Sequence, residues 1–245
     1  MGSTPAAHPT GFRTPAMQAP AARPLATPLR HTAWLAGGTV ISFLVPFVLA
    51  DQLGLQRDAY YGLYAAVVVG LFLGWARDTG QSVREMCARR WRLALALGIG
   101  FAAITSFIAL RAEDAGPTAD GLSLVGSLVW LGLMYGAIDG LLLSAFPILV
   151  VFAALAGSRL RQARGGIVVV GAIALMASVL MTATYHLGYS DFRSSKVRKP
   201  ISGDLVWSVP TLVTLNPIGA PIAHAALHVT AVLHNSETDL FLPPH

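Results

Sequence analysis

The chain has 245 residues, of which 54% are hydrophobic and 12% charged, with a mean hydropathy of +0.61. Soluble domains carry roughly 25% charged residues, so this chain lacks the polar surface to cover a water-soluble globule and needs a bilayer as solvent for much of its length. The formal charge of +5 comes without a basic face or recognition motif, which argues against nucleic acid as a partner. A single cysteine, Cys87, excludes an internal disulfide and cysteine-held zinc or iron–sulfur centres.

The expected fold is all-α, a polytopic transmembrane helix bundle of about six membrane-embedded segments with the last one broken by prolines. Residues 1–31 read as a disordered cytoplasmic tail, because Pro5, Pro9, Pro15, Pro20, Pro24 and Pro28 prevent helix and no apolar period is present. A transmembrane domain is expected over 32–234, followed by a short polar tail over 235–245. The first apolar run, Thr32 to Ala50, could be a signal peptide cleaved before Asp51; the long preceding tail favours an uncleaved span. The second, Tyr60 to Ala76, carries Tyr60, Tyr61, Tyr64 and Trp75 at its ends, which reads as an aromatic belt at the headgroups. Further runs are Trp91 to Leu110, Leu122 to Ala156, Gly166 to Tyr185 and Leu205 to Leu233.

Loop charges set the orientation. Asp51, Arg57 and Asp58 leave the first loop negative; Arg77 to Arg92 make the second positive; Arg111 to Asp120 make the third negative; Arg159, Arg161 and Arg164 make the fourth positive. Alternating signs place the N-terminus, second loop and fourth loop in the cytoplasm of a cell-membrane protein. They also require Leu122 to Ala156 to be one long tilted helix that bends at or continues past Pro147. The stretch from Tyr185 to Asp204 then lies outside although its net charge is positive, so either the protein holds it for a purpose or the count differs by one span. Asn216, Pro217 and Pro221 divide the final run into pieces too short to span comfortably, which suggests a re-entrant or interfacial first piece, the alternative being a kinked last span.

Small residues recur every fourth position at Gly62, Ala66, Gly70 and Gly74, and again at Gly132, Gly136, Gly140 and Ser144. Such ridges allow close backbone approach in lipid. Both are expected to be helix–helix contacts, within the bundle or with a second copy or a membrane-complex partner.

Five of the seven histidines fall in the last quarter: His186, His224, His228, His234 and His245. His224 and His228 are spaced i, i+4, so one helix face offers two imidazoles to one metal. His234 joins them if the helix ends near Asn235, and Glu237, Asp239 and His245 follow as further donors. The spacing resembles the histidine boxes of membrane desaturases and hydroxylases, which hold a non-haem di-iron centre. The resemblance is confined to His224–His228, and the other boxes are absent, so that activity is not carried over. The zinc-protease helix motif fails because Ala225, not glutamate, follows His224.

The candidate metal ligands are therefore His224, His228, His234 and His186, for a transition metal; a haem variant would pair His186 with His224 or His228. Asp139, midway along the fourth run, is costly at membrane depth and must face the interior. It reads either as a proton or cation relay or as a hydrogen-bond partner of a neighbouring helix. The functional expectation is a membrane protein of unassigned activity, whose histidines at the extracytoplasmic boundary either hold a metal or serve a structural or proton-handling role. The competing class is a transporter or a non-catalytic subunit.

Overall fold

Uninterrupted apolar runs leave every backbone group to be satisfied within its own helix. In the computed structural model, which describes residues 27–112, 114–238 and 240–242, the described residues contain helices and no strand. Of the tail expected to be disordered over 1–31, residues 1–26 fall outside the described residues, as do Asp239 and His245, whereas Pro28 to His31 are helical. In chain order the helices are α1 (Pro28–Gln52), α2 (Arg57–Asp78), α3 (Val83–Ala88), α4 (Trp91–Ala112), α5 (Gly121–Ala154), α6 (Arg159–Gln162), α7 (Gly166–Leu187), α8 (Arg198–Trp207), α9 (Val209–Thr214) and α10 (Gly219–His234). Five of them, α1, α2, α4, α5 and α7, are long and apolar enough to cross a membrane. Their outer faces stay greasy: Val168 is 72% exposed, Met176 65% and Phe107 59%. Apolar surface on this scale fits a lipid environment.

Helix α1 starts at Pro28, four residues before the apolar run, because a proline at the first turn gives up an N–H that would have no partner. Near this end Arg30 bonds to Asp78, the Trp34 indole donates to Asp78 (2.9 Å), and Trp75 donates to His31 Nδ1 (3.1 Å). Trp75 is thus buried as a clamp between α1 and α2 and is not a headgroup anchor. Arg89 and Arg161 line one groove with Pro28 and His31, so this is the basic end of the bundle. Cys87 also lies here, and burial pushes its thiol above the ordinary range, which leaves it a poor nucleophile.

The fourth run is one helical element of 34 residues, about 50 Å long at 1.5 Å per residue. Two stretches, Leu128–Tyr135 and Gly140–Ala145, are wound as π-helix and flank Asp139. Pro147 does not end the helix. The Ser178 hydroxyl of α7 bonds to the Leu143 carbonyl, one turn before it, at 2.7 Å.

Beyond α7 the chain forms a hairpin. Arg193 bonds to Asp51 (3.1 Å) and to the Gly188 carbonyl (2.8 Å), pinning the loop at the end opposite the basic one. From there α8 and α9, of 10 and 6 residues, run to the basic end. Asn216 then donates to the carbonyls of Cys87 (2.8 Å) and Arg89 (2.6 Å). Leu215 turns the corner at φ 52°, a left-handed conformation that these bonds hold in place. The 16 residues of α10 return to the far end, where the His234 carbonyl accepts from the Gly116 N–H (3.0 Å). The descending leg starts at Arg198, seven residues before the expected Leu205, and so carries Asp204 into the interior instead of leaving it in a loop.

The two small-residue ridges behave differently. On α5, Gly132 meets Val229, Gly136 meets Ala225 and His228, and Gly140 meets Pro221, so this ridge seats α10. On α2, Gly74 meets Trp34, whereas Gly62 and Gly70 face open space. On its other flank α10 packs along α4, where Thr105 donates to the Ala223 carbonyl (2.9 Å) and Thr230 to Ser106 (2.8 Å).

Candidate metal centre

The glycine seam sets the geometry of the site. Because Gly136 has no side chain, α10 comes close enough for His224 and His228 to reach Asp139, three residues further along α5. Asp139 Oδ2 lies 3.6 Å from His228 Nε2 and 4.0 Å from His224 Nε2, too long for hydrogen bonds. Two ligands on one tetrahedral ion with bonds of 2.0–2.1 Å sit about 3.3 Å apart, so a small contraction would let all three bind one ion. Candidate ligand atoms of the three residues lie within 4.8 Å of one another, and all three residues are buried.

Neighbours hold the donors. Tyr64 donates to Asp139 Oδ1 at 2.5 Å, which leaves Oδ2 turned to the histidines. The two imidazoles stack at 5.2 Å; Trp207 packs on His224 at 4.6 Å and Tyr135 meets His228 edge-on at 4.9 Å. The Nδ1 atoms of both histidines are buried without a protein acceptor. The outer partner that commonly orients a ligating imidazole is therefore not provided by a side chain or carbonyl here, and ring packing takes that role.

Around this group gather all six tyrosines of the chain. Tyr60 bonds to Tyr185 (3.2 Å) and Tyr189 (2.6 Å), Tyr185 to Tyr135 (2.6 Å) and to Tyr189 (3.0 Å). Tyr61 stacks on Tyr135 at 4.2 Å. Tyr60, Tyr61 and Tyr64 thus point inward, at most 2% exposed, and are not a headgroup belt. A phenol hydroxyl both donates and accepts, so the hydroxyls of Tyr60, Tyr135, Tyr185 and Tyr189 form one connected hydrogen-bonded group.

A cavity of about 290 Å³ opens beside the group. Asp139, His186, His224 and His228 reach its wall, as do Tyr135, Tyr185 and Tyr189. Apolar side chains such as Ile108, Leu227 and Phe241 make up much of the rest, and Lys199 and Ser202 are exposed. Volume and lining fit a small amphiphilic ligand.

Of the four histidines expected as ligands, His224 and His228 come together. His186 lines the same cavity, with its Nδ1 held by the Thr182 carbonyl (2.8 Å), but lies outside the three-residue group. His234 belongs to neither the group nor the cavity wall, and Glu237 is exposed. Asp139, expected on its own account, supplies the third donor. Comparison with protein families, with characterised proteins and with solved structures yields no match, so the site is read from its own chemistry.

Proposed function

We propose that this is a membrane-embedded metalloprotein in which His224, His228 and Asp139 hold one transition-metal ion facing a cavity for a lipid-soluble substrate. The observation that carries the reading is the convergence of two imidazoles and a carboxylate on one wall of that cavity. Two nitrogens and one oxygen suit zinc or non-haem iron, and three protein ligands leave a position open towards the cavity, as catalytic sites do. A metal so placed would polarise a substrate carbonyl or activate water. Tyr64 would hold Asp139, and the hydrogen-bonded tyrosines Tyr135, Tyr185 and Tyr189 would present hydroxyls to a substrate in the cavity.

In this reading the hairpin legs also cross the bilayer, giving seven passes in place of the expected six. The legs are about 24–26 Å long at helical rise, slightly under the hydrocarbon thickness. The arginine-rich end is cytoplasmic by the positive-inside rule, which puts the N-terminus inside the cell and the metal centre nearer the outer end. The basic residues of the outer loop fit because Arg193 is tied to Asp51 and Lys196 lies over the Phe192 ring. A second copy or a membrane partner would pack on the α2 face at Gly62, Ala66 and Gly70.

Metal content by mass spectrometry on detergent-purified protein, after loading and removal of loose ions, tests the reading. Close to one zinc or iron per chain is expected, absent from His224→Ala/His228→Ala. A metal-free wild type after loading would sink it and favour a second reading, a proton or cation carrier. That reading draws on the Tyr64–Asp139 bond and the linked tyrosines.

A further inference from the structure

A second polar cluster lies in the bundle, built on Asp204. This carboxylate is fully buried. Its Oδ1 lies 2.9 Å from Ser208 Oγ, 3.2 Å from Ser144 Oγ and 3.2 Å from Ser178 Oγ. A hydroxyl has a single hydrogen, and that of Ser178 has a nearer acceptor in the Leu143 carbonyl, 2.7 Å away. Ser178 then presents lone pairs to Asp204 and to Ser208, 2.9 Å away. Asp204 Oδ2 is buried with no donor at close hydrogen-bond distance, and the Thr182 hydroxyl, likewise without a close partner, lies beside the carboxylate. No basic side chain forms an ion pair with Asp204 among the described residues. Three hydroxyls crowd one carboxylate oxygen and the other has no close donor in an apolar interior. That arrangement is costly unless positive charge joins it.

We propose that Asp204, Ser144, Ser178, Ser208 and Thr182 form a binding site for a monovalent alkali cation, Na⁺. The donors are all hard oxygens, which disfavours the transition metals that suit His224 and His228. One carboxylate balances one positive charge, whereas a divalent ion would leave net charge buried among apolar helices. The hydroxyls can rotate to aim lone pairs at an ion, and Oδ2 supplies the anionic ligand. The preceding residue, Gly203, belongs to the cavity wall. Thr182 joins the two sites: its hydroxyl belongs to this cluster, and its carbonyl holds His186 at the cavity.

The test uses full-length protein in detergent, in mildly alkaline buffer with choline replacing Na⁺ at constant ionic strength. Radiolabelled Na⁺ binding and melting temperature are followed as Na⁺ is added. Expected are one saturable Na⁺ per chain, a rise in melting temperature that choline does not reproduce, at least tenfold weaker binding in Ser208→Ala and none in Asp204→Asn. The His224→Ala/His228→Ala protein should bind Na⁺ as the wild type does, since this site does not rest on the metal centre. The proposal is overturned if wild-type protein shows no saturable Na⁺ uptake and is stabilised only by acidification, which would make Asp204 a proton carrier. Unchanged Na⁺ binding in both Asp204→Asn and Ser208→Ala would also overturn it, because the ion would then sit elsewhere.

Discussion

Asp139 and Asp204 are both carboxylates buried in the helix bundle, yet one meets imidazole nitrogens and a phenol while the other meets serine hydroxyls. The difference follows from which elements cross at each point. At Asp139 the glycine seam of α5 draws in α10, whose i, i+4 histidines face the seam. At Asp204 the first hairpin leg passes α5 and α7 at Ser144 and Ser178, whose hydroxyls lie against the carboxylate. A buried charge must be matched locally. The two aspartates meet that demand with donor sets that would select different ions.

The largest effect that sharpens this contrast is on metal affinity. Replacing His224 and His228 by alanine should lower zinc affinity by more than about 100-fold, beyond what loss of an outer-sphere partner costs, while the helical circular dichroism stays intact. Metal retained by that variant would break the assignment of nitrogen chemistry to Asp139. Next comes the seam itself. Gly140→Leu forces a side chain into the Pro221 backbone, and overpacking of this kind costs about 1–3 kcal/mol, read as a lower melting temperature together with weaker metal binding.

A smaller effect is expected from Tyr64→Phe. Losing the hydroxyl that holds Asp139 should weaken zinc binding about tenfold in a chelator competition, as loss of other outer-sphere bonds does. No change would mean that packing alone orients the carboxylate. Smallest of all is Gly70→Leu on the outer face of α2. It meets no atom within the chain, so the isolated protein should shift by no more than about 0.5 kcal/mol. A larger loss, accompanied by dissociation of an oligomer in sedimentation, would show that this ridge packs against a second copy.

Much of this arrangement was legible in the sequence, but in separate pieces. Long apolar runs named the five long helices, and loop charge alternation kept Leu122 to Ala156 as one element. The His224–His228 spacing and the isolated Asp139 each stood out, since both are costly at membrane depth. That they meet depends on α10 docking on Gly132, Gly136 and Gly140, and nothing local to either segment fixes that pairing. The tyrosines were misplaced for a related reason. A phenol near a helix end suits headgroups and a buried hydroxyl network equally well, and only neighbouring helices decide between them. The i, i+4 pairs Tyr60–Tyr64 and Tyr185–Tyr189 were the available hint of an inward face. Asp204 read as a loop charge because its serine partners Ser144 and Ser178 come from distant helices; Ser208, one turn on, was the sole local sign.

X-ray absorption spectroscopy of the zinc-loaded protein tests the shared metal centre most directly. The account predicts a first shell of nitrogen and oxygen at about 2.0–2.1 Å, with the multiple-scattering signature of two imidazoles that disappears in His224→Ala/His228→Ala. A zinc shell without imidazole scattering, or no saturable zinc uptake at all, would contradict it.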